Sequence, residues 1–444
     1  MPAEQNRPLR LALVHAAGAA LPIWVARLIE RLHNDPAFSL AGTIEGEPAA
    51  TGQGMPLLLS LERLAVNNVY RGSGAPNAEQ LLAALPELGR TQGRPVADIA
   101  LALSGSSLPA SELGKLVAEE WSLQMADATA SPETALMKAL ASGEPLIPLS
   151  LVARTAQAPD GKRILRAQYN IKPSAMLLFA FLCDKAVPFV QRALTCRAFG
   201  REIDTGVTLD PAPVPAAKVR SLPYPALLMK TVAQRLADKL RERFSVPGDN
   251  WELHIGDGRP PTFGVSGMVA LPRLHWTMAD PFLIEHDGAL FLFFEALDKP
   301  GGNAWIEVCR LNGNELEPLG AALRCDYHLS FPQVFSHAGE VFMLPETQQT
   351  NRLEVWRATR FPLEWELHAT ALEGLLPADS CLYRQNGKWW LFSNLSDHHA
   401  FQEHSSALYL FQVSGPDLKQ VIPHRFNPVV IGSDVSRNAG GLFI

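Results

Sequence analysis

Four acidic side chains recur in phase along the second half of this 444-residue sequence: Asp280, Glu295, Glu346 and Asp379. Asp280 and Asp379 open two copies of a pattern whose middle copy opens on Phe331. Glu295 and Glu346 close two copies whose third closes on Asn394. Cleavage or transfer of a glycosidic bond needs a pair of carboxyl groups flanking the anomeric carbon. One protonates the leaving oxygen; the other activates water or an acceptor, or attacks the carbon itself. The plainer alternative is that an Asp before a Pro, as in Asp280-Pro281, forms a turn.

The pattern has a strict metre. It reads Ala279-Asp280-Pro281-Phe282-Leu283-Ile284, then Ser330-Phe331-Pro332-Gln333-Val334-Phe335, then Ala378-Asp379-Ser380-Cys381-Leu382-Tyr383. A turn glycine (Gly288, Gly339, Gly387) follows Pro281, Pro332 and Ser380 by 7 residues, and the polar closing residue follows that glycine by 7 more. The starts are 51 and 48 residues apart. A self-similar unit of about 50 residues made of short strands is the mark of a β-propeller blade. Each X-Gly turn predicts a tight hairpin, whose return strand ends beside the start of the first strand. Asp280 is thereby expected near Glu295, Glu346 near Phe331, and Asn394 near Asp379, with Asp280, Glu295, Glu346 and Asp379 at one mouth of a central funnel.

The rest of the chain must carry and position that mouth. Leu9–His15, a helix from Pro22 to His33 and a strand from Phe38 to Ile44 form a βαβ unit, which favours a parallel sheet covered by helices. The loop Ala16–Ala20 is not a dinucleotide fingerprint. Further elements are two short helical patterns in 54–95, a strand Asp98–Leu103, a helix Ala110–Glu120 and a helix Pro132–Ala141. Strands Leu146–Thr155 and Arg163–Asn170 are joined by Pro159-Asp160-Gly161, and a long helical stretch covers Ser174–Arg197. The expectation is an α/β domain over residues 1–199, a Pro-rich linker over 200–261 holding a helix at 227–244, and an all-β propeller over 262–444. Ser436–Ile444 reads as the start of a fourth unit. The expectation is a shortened chain, with closure by strands such as those in 246–275 as the other reading.

Composition narrows the partners. A net charge of -6, with no basic run among aromatics, argues against nucleic acid. The longest apolar run, Ala175–Cys183, is too short to span a bilayer, and the N-terminus does not read as a signal peptide. Five scattered cysteines without a Cys-X-X-Cys point to buried thiols in a reducing cytoplasm.

Two resemblances follow from particular motifs. The β half resembles the five-bladed propellers of the furanosidase superfamily through Asp280 in Ala-Asp-Pro, Glu346 in Leu-Pro-Glu-Thr and Asp379 in Ala-Asp-Ser. More closely, Trp276–Ile444 is similar to the propeller of glucosamine inositolphosphorylceramide transferases. The shared motifs are Ser-Phe-Pro-X-Val-Phe, Pro-Glu-Thr, Phe361–Trp365 as Phe-Pro-X-X-Trp, and Arg437–Gly440 as Arg-X-Ala-Gly. The superfamily resemblance implies Asp280 as base or nucleophile, Glu346 as acid, and Asp379 as the group that raises the acid's pKa or binds sugar hydroxyls. The α/β half is similar to formyltransferase domains, with departures. Ser122 stands where that family has Asn and Gln124 where it has His; Asp160 alone keeps its type. Without the imidazole there is no obvious general base or acid for formyl transfer, so the shell has lost its chemistry or puts the same cleft to a different use, and folate is not expected.

Around the acids, Glu295, His328, Asn394 and Arg437 are the candidates for binding substrate. Arg437 suits a phosphate or carboxylate of an activated donor, or a structural ion pair; His328 suits the mouth or a satisfied rim position. His398, His399 and His404 read as a surface loop rather than a metal site. Trp276, Phe294, Tyr327, Trp365, Trp389 and Trp390 suit either sugar stacking or core packing. The reading is a glycan-active enzyme, foremost a cytoplasmic glycosyltransferase of cell-surface polysaccharide or glycolipid synthesis. Its partner would be a carbohydrate or sugar nucleotide; an activated donor is the one co-substrate implied, and no metal or cofactor is called for. A furanosidase-type hydrolase and a non-catalytic sugar binder are the alternatives.

Overall fold

The computed structural model describes residues 7–16, 23–48, 57–70, 78–88, 95–103, 105–126, 132–206, 224–243, 251–256, 267–274, 277–298, 302–396 and 403–441. The chain forms two compact units, residues 1–231 with 428–435, and residues 232–427 with 436–444. Trp276, His398, His399, Ser104 and the 17–22 loop lie outside the described residues.

The first unit holds β1 (Leu9–His15), α1 (Ile23–His33), β2 (Phe38–Glu45), β3 (Glu47–Pro48), α2 (Leu57–Tyr70), α3 (Ala78–Ala83), β4 (Ala97–Ala102), β5 (Ser106–Ser107), β6 (Val117–Met125), α4 (Pro132–Ser142), β7 (Leu146–Arg154), β8 (Lys162–Asn170) and α5 (Ala175–Ala198). Its main sheet has the order β2-β1-β4-β6-β7-β8. The expected parallel sheet is present from β2 to β6, but β7 and β8 run antiparallel. A short turn lets β7 fold back as β8, whereas a parallel neighbour would need a long crossover. The Ser174 hydroxyl caps α5 by accepting from the Leu177 N–H. That helix is buried along most of its length.

The helix expected over 110–120 is absent. Only Ala110–Glu112 forms a single helical turn, and Val117–Met125 is an inner strand. Gly114 at φ 80° stops the turn. Val117 and Trp121 then pack on the sheet in register with Ala97 and Leu101.

After α6 (Tyr224–Arg243) and the paired segments β9 (His254–Ile255) and β10 (Val269–Ala270), the second unit is built of three consecutive antiparallel sheets, each with a main path of four strands. The first comprises β11 (Thr277–His286), β12 (Ala289–Leu297), β13 (Trp305–Asn312) and β14 (Glu315–Leu323). The second comprises β15 (Ser330–His337), β16 (Glu340–Glu346), β17 (Leu353–Arg360) and β18 (Glu364–Ala371). The third comprises β19 (Pro377–Gln385), β20 (Lys388–Leu395), β21 (Ala407–Val413) and β22 (Val421–Pro423). The opening strands are neighbours, β11 beside β15 and β15 beside β19.

Each opening hairpin has a two-residue turn with both φ angles positive: Asp287 49° and Gly288 73°, Ala338 53° and Gly339 83°, Asn386 50° and Gly387 77°. Such a turn matches the right-handed twist of its strands, which is why Gly recurs there. The sheets pack face to face. Phe291, Phe293 and Val308 of the first meet Val334, Val341 and Met343 of the second. Phe342, Leu344 and Val355 of the second meet Leu382, Leu391 and Phe411 of the third. Leu292 and Phe294 alternate to the other face of the first sheet, where Leu253 and Leu271 cover them. Each large side chain so buried contributes about 1.5–3 kcal/mol.

Candidate active site

The three opening strands share one irregularity. Asp280, Phe331 and Asp379 have φ of 49°, 47° and 46°. The ladder skips from Ala279 to Phe282, from Ser330 to Gln333 and from Ala378 to Cys381. Each is a bulge that takes two residues out of pairing. In the first two the second residue is proline, which has no N–H for a ladder. The register seats Glu295 opposite Ala279, Glu346 opposite Ser330 and Asn394 opposite Ala378.

The bulges free backbone N–H groups, and carboxyl groups of the preceding sheet take them. Glu346 Oε2 accepts from the Asp379 N–H at 3.2 Å. The Asp280 carboxyl accepts from the Phe331 N–H. Beside these acids Phe282, Phe331 and Cys381 form a small apolar cluster, with the two rings edge to face at 4.9 Å.

Electrostatics separates the acids. Burial, then the charges of Glu295 and Asp379, push Asp280 up to about 6; the Phe331 N–H and Arg437 pull the other way. Glu346 is pushed up further from its ordinary value, first by burial and then by Asp379, against the Asp379 N–H and Arg437. Asp379 is buried and ion-paired, with Arg437 Nε 2.7 Å from Oδ2. Arg437 keeps 59% of its side chain exposed. At neutral pH the site thus holds an ionised Asp280 beside a protonated Glu346, the condition for one acid and one base.

His328 forms the next part of the wall. Its Nε2 lies 3.2 Å from Glu295 Oε1, and its Nδ1 accepts from the Ala304 N–H at 3.3 Å. The Glu295 hydrogen bond raises its proton affinity, against burial, and Glu346 and Asp280 add to the rise. Asp280, Glu295, His328, Glu346, Asp379 and Arg437 thus stand within electrostatic reach of one another.

Asn394, expected to meet substrate, is fully buried and occupied. Its Nδ2 donates to Ala407 O at 2.9 Å and Ser436 O at 2.7 Å, and its Oδ1 accepts from the Asn438 N–H at 2.9 Å. Asn438 Nδ2 donates in turn to Asp379 O at 2.7 Å. The amide fixes residues 436–438 and so presents Arg437. The described aromatics pack rather than line the mouth: Phe294 is fully buried, Tyr327 donates to Glu354, Trp365 donates to Pro362 O, and Trp389 and Trp390 lie against His337 and His424. His404, assigned from sequence to a surface loop, instead stands near Asp379 and Arg437 with a buried ring nitrogen. No local pattern announces it, because its surroundings come from distant residues.

In the first unit the formyltransferase positions do not converge. Ser122 and Gln124 lie opposite Val152 and Ser150. Asp160 is exposed in the turn beyond Arg154, roughly 13 Å or more along the strand from Ser150. A buried Glu120 occupies that end of β6, accepting from the Leu108 N–H at 3.1 Å and paired to Arg154 at 2.7 Å. Among the described residues there is no cluster of metal ligands, and no helix is long and apolar enough to cross a membrane.

Repeated antiparallel sheets presenting a graded set of carboxyl groups at their bulged edges define this unit as a carboxyl-lined repeat-sheet module. Residues 272–444 match the family described as glucosamine inositolphosphorylceramide transferase 1, N-terminal. The resemblance read from the motifs is thereby shown over this stretch. A protein of that name from Oryza sativa subsp. indica is 38% identical over 172 residues, which is 38% of this chain and 23% of that protein. Its counterpart from Arabidopsis thaliana is 36% identical over 171 residues, 38% of this chain and 22% of that protein. The match thus spans less than a quarter of either relative's length. Among solved structures, a family 117 glycoside hydrolase of Zobellia galactanivorans is similar at a TM-score of 0.29 and 12% identity, covering 35% of this chain and 57% of that one.

Proposed function

We propose that the second unit is a glycan-active site on a five-bladed propeller scaffold, and that it transfers a sugar from an activated donor to a hydroxyl acceptor in glycolipid or cell-surface polysaccharide synthesis. The observation that carries this is the separation of proton affinities between Asp280 and Glu346. Asp280, near 6, takes the proton of the acceptor hydroxyl. The freed oxygen forms its bond to the anomeric carbon as the bond to the leaving oxygen breaks, and Glu346 gives its proton to that leaving oxygen. Burial raises both values first, Asp379 adds to the rise and Arg437 opposes it. The relatives' name, glucosamine inositolphosphorylceramide transferase 1, favours transfer over hydrolysis. The same carboxyl groups would serve hydrolysis with water as acceptor.

The first unit is proposed as a formyltransferase-like shell without formyl-transfer chemistry, and the site of action as the cytoplasm. The five cysteines form no disulfide among the described residues, which accords with a reducing compartment. Full-length protein incubated with a nucleotide-activated glucosamine donor, with and without an inositol phosphate acceptor, tests the reading. A glycosylated acceptor, lost in Asp280→Asn, is expected. Free sugar as the sole product would move the assignment to a hydrolase. Turnover unchanged in Asp280→Asn would remove the carboxyl mechanism.

A further inference from the structure

His404 lies just ahead of β21. Its ring is hydrogen-bonded to the backbone of Leu376, one residue before β19, and its charged neighbours are Asp379, Arg437 and Glu403. Its Nε2 is buried and without a hydrogen-bond partner among the described residues. The other two such atoms there belong to groups already in ion pairs, Asp184 with Lys185 and Arg310 with Glu317.

Burial lowers the ring's affinity for a proton, so the imidazole is neutral near pH 7. A neutral imidazole has one donor and one acceptor nitrogen. With Nε2 unpartnered, Nδ1–H is the donor to the Leu376 carbonyl, and Nε2 carries a bare lone pair. A buried acceptor without a donor is costly, and folded proteins keep few of them. Around it, the carboxyl groups of Glu346 and Asp280 each accept one backbone N–H, and the Arg437 guanidinium keeps an exposed donating side. A neutral acceptor among them suits a ligand that brings its own O–H.

We propose that His404 Nε2 accepts a hydrogen bond from a ring hydroxyl of a sugar held beside Asp379 and Arg437. This rests on the saccharide reading above. In structural terms His404 belongs with the substrate-binding residues, not with those that move a proton.

His404→Asn keeps an N–H toward Leu376 and deletes the Nε2 acceptor. Glucosamine and N-acetylglucosamine are the probes, titrated into full-length protein by calorimetry. Histidine-¹⁵N spectra of the wild type are recorded in parallel. The expected result is a His404 Nε2 resonance typical of an unprotonated nitrogen that shifts upfield on sugar binding. His404→Asn should bind the same sugar about tenfold more weakly, with a Tm equal to or above that of the wild type. Sugar binding that leaves the His404 resonance unmoved, or His404→Asn with a lowered Tm and full affinity, overturns this proposal and leaves the saccharide reading standing. Failure of both sugars to bind wild-type protein overturns the two together.

Discussion

The backbone N–H of Asp379 donates to Glu346 Oε2 at 3.2 Å. One residue thus acts on the other in two opposed ways. Its N–H stabilises the ionised form of Glu346, while its buried carboxylate opposes that form, and the repulsion together with burial prevails. The left-handed bulge at Asp379 makes both contacts available from a single residue.

Removing the base should separate chemistry from binding. Asp280→Asn is expected to lower kcat by about 10²–10⁴-fold with KM little changed. Steady-state kinetics on the donor and acceptor named above measures it.

The pH profile should be a bell. Asp280 must be ionised, so activity falls as pH drops through about 6. Glu346 must be protonated, so activity falls again as pH rises through its elevated value. Glu346→Gln is expected to lose the alkaline limb along with most of the rate. A profile of kcat/KM against pH for both proteins decides this.

Arg437 holds the proton affinities of Asp280 and Glu346 down. Arg437→Ala should therefore move the acid limb to higher pH, and Arg437→Lys should restore much of the wild-type position. An acid limb unmoved in Arg437→Ala would show that the guanidinium does not act on Asp280.

Stability should rise where chemistry is lost. Asp280 binds its proton more tightly in the folded chain than its ordinary value of 3.8 allows. Its ionisation therefore costs nothing below about pH 4, costs more as pH climbs toward 6, and costs its full amount above. Asp280→Asn should raise Tm at pH 7–8 and leave it unchanged at pH 4. After discounting for partial exposure the gain is on the order of 1 kcal/mol, a few degrees. Thermal scans at the two pH values test the sign.

Asn394 should behave as a structural anchor. Asn394→Leu strands Ser436 O, Ala407 O and the Asn438 N–H. A loss of about 2–4 kcal/mol is expected, or roughly 5–15 °C in Tm, together with the pH shift of Arg437→Ala. Calorimetry and the pH profile together check it.

The hairpins were legible in the sequence because a two-residue turn with positive φ restricts its residue types, and strand pairing then fixes the distance to Glu295, Glu346 and Asn394. The bulges were not. Phe331 is a bulky residue in a conformation such residues rarely adopt, and only Pro281 and Pro332 hinted that the ladder breaks there. The burial of Asn394 was not legible because its position matches two carboxylates, while two of its three partners, Ser436 and Asn438, lie more than forty positions on. The strand at 117–125 was hidden by helix-forming residues at 110–112, since its conformation is imposed by β4 and β7 on either side.

The segment 428–435 belongs to the first unit. It is held there by Pro428 O accepting from Arg192 Nη1 at 2.8 Å, Ile431 N–H donating to Thr205 O at 2.9 Å, and Ser433 N–H donating to Gln168 O at 2.7 Å. A ribosome therefore releases the sheet modules before it delivers the last piece of the unit it began with. Residues 1–231 emerge as an unfinished body that must wait through some two hundred residues of synthesis for its final contacts. Severing the chain anywhere between the two pieces would leave that body without the strap that completes it.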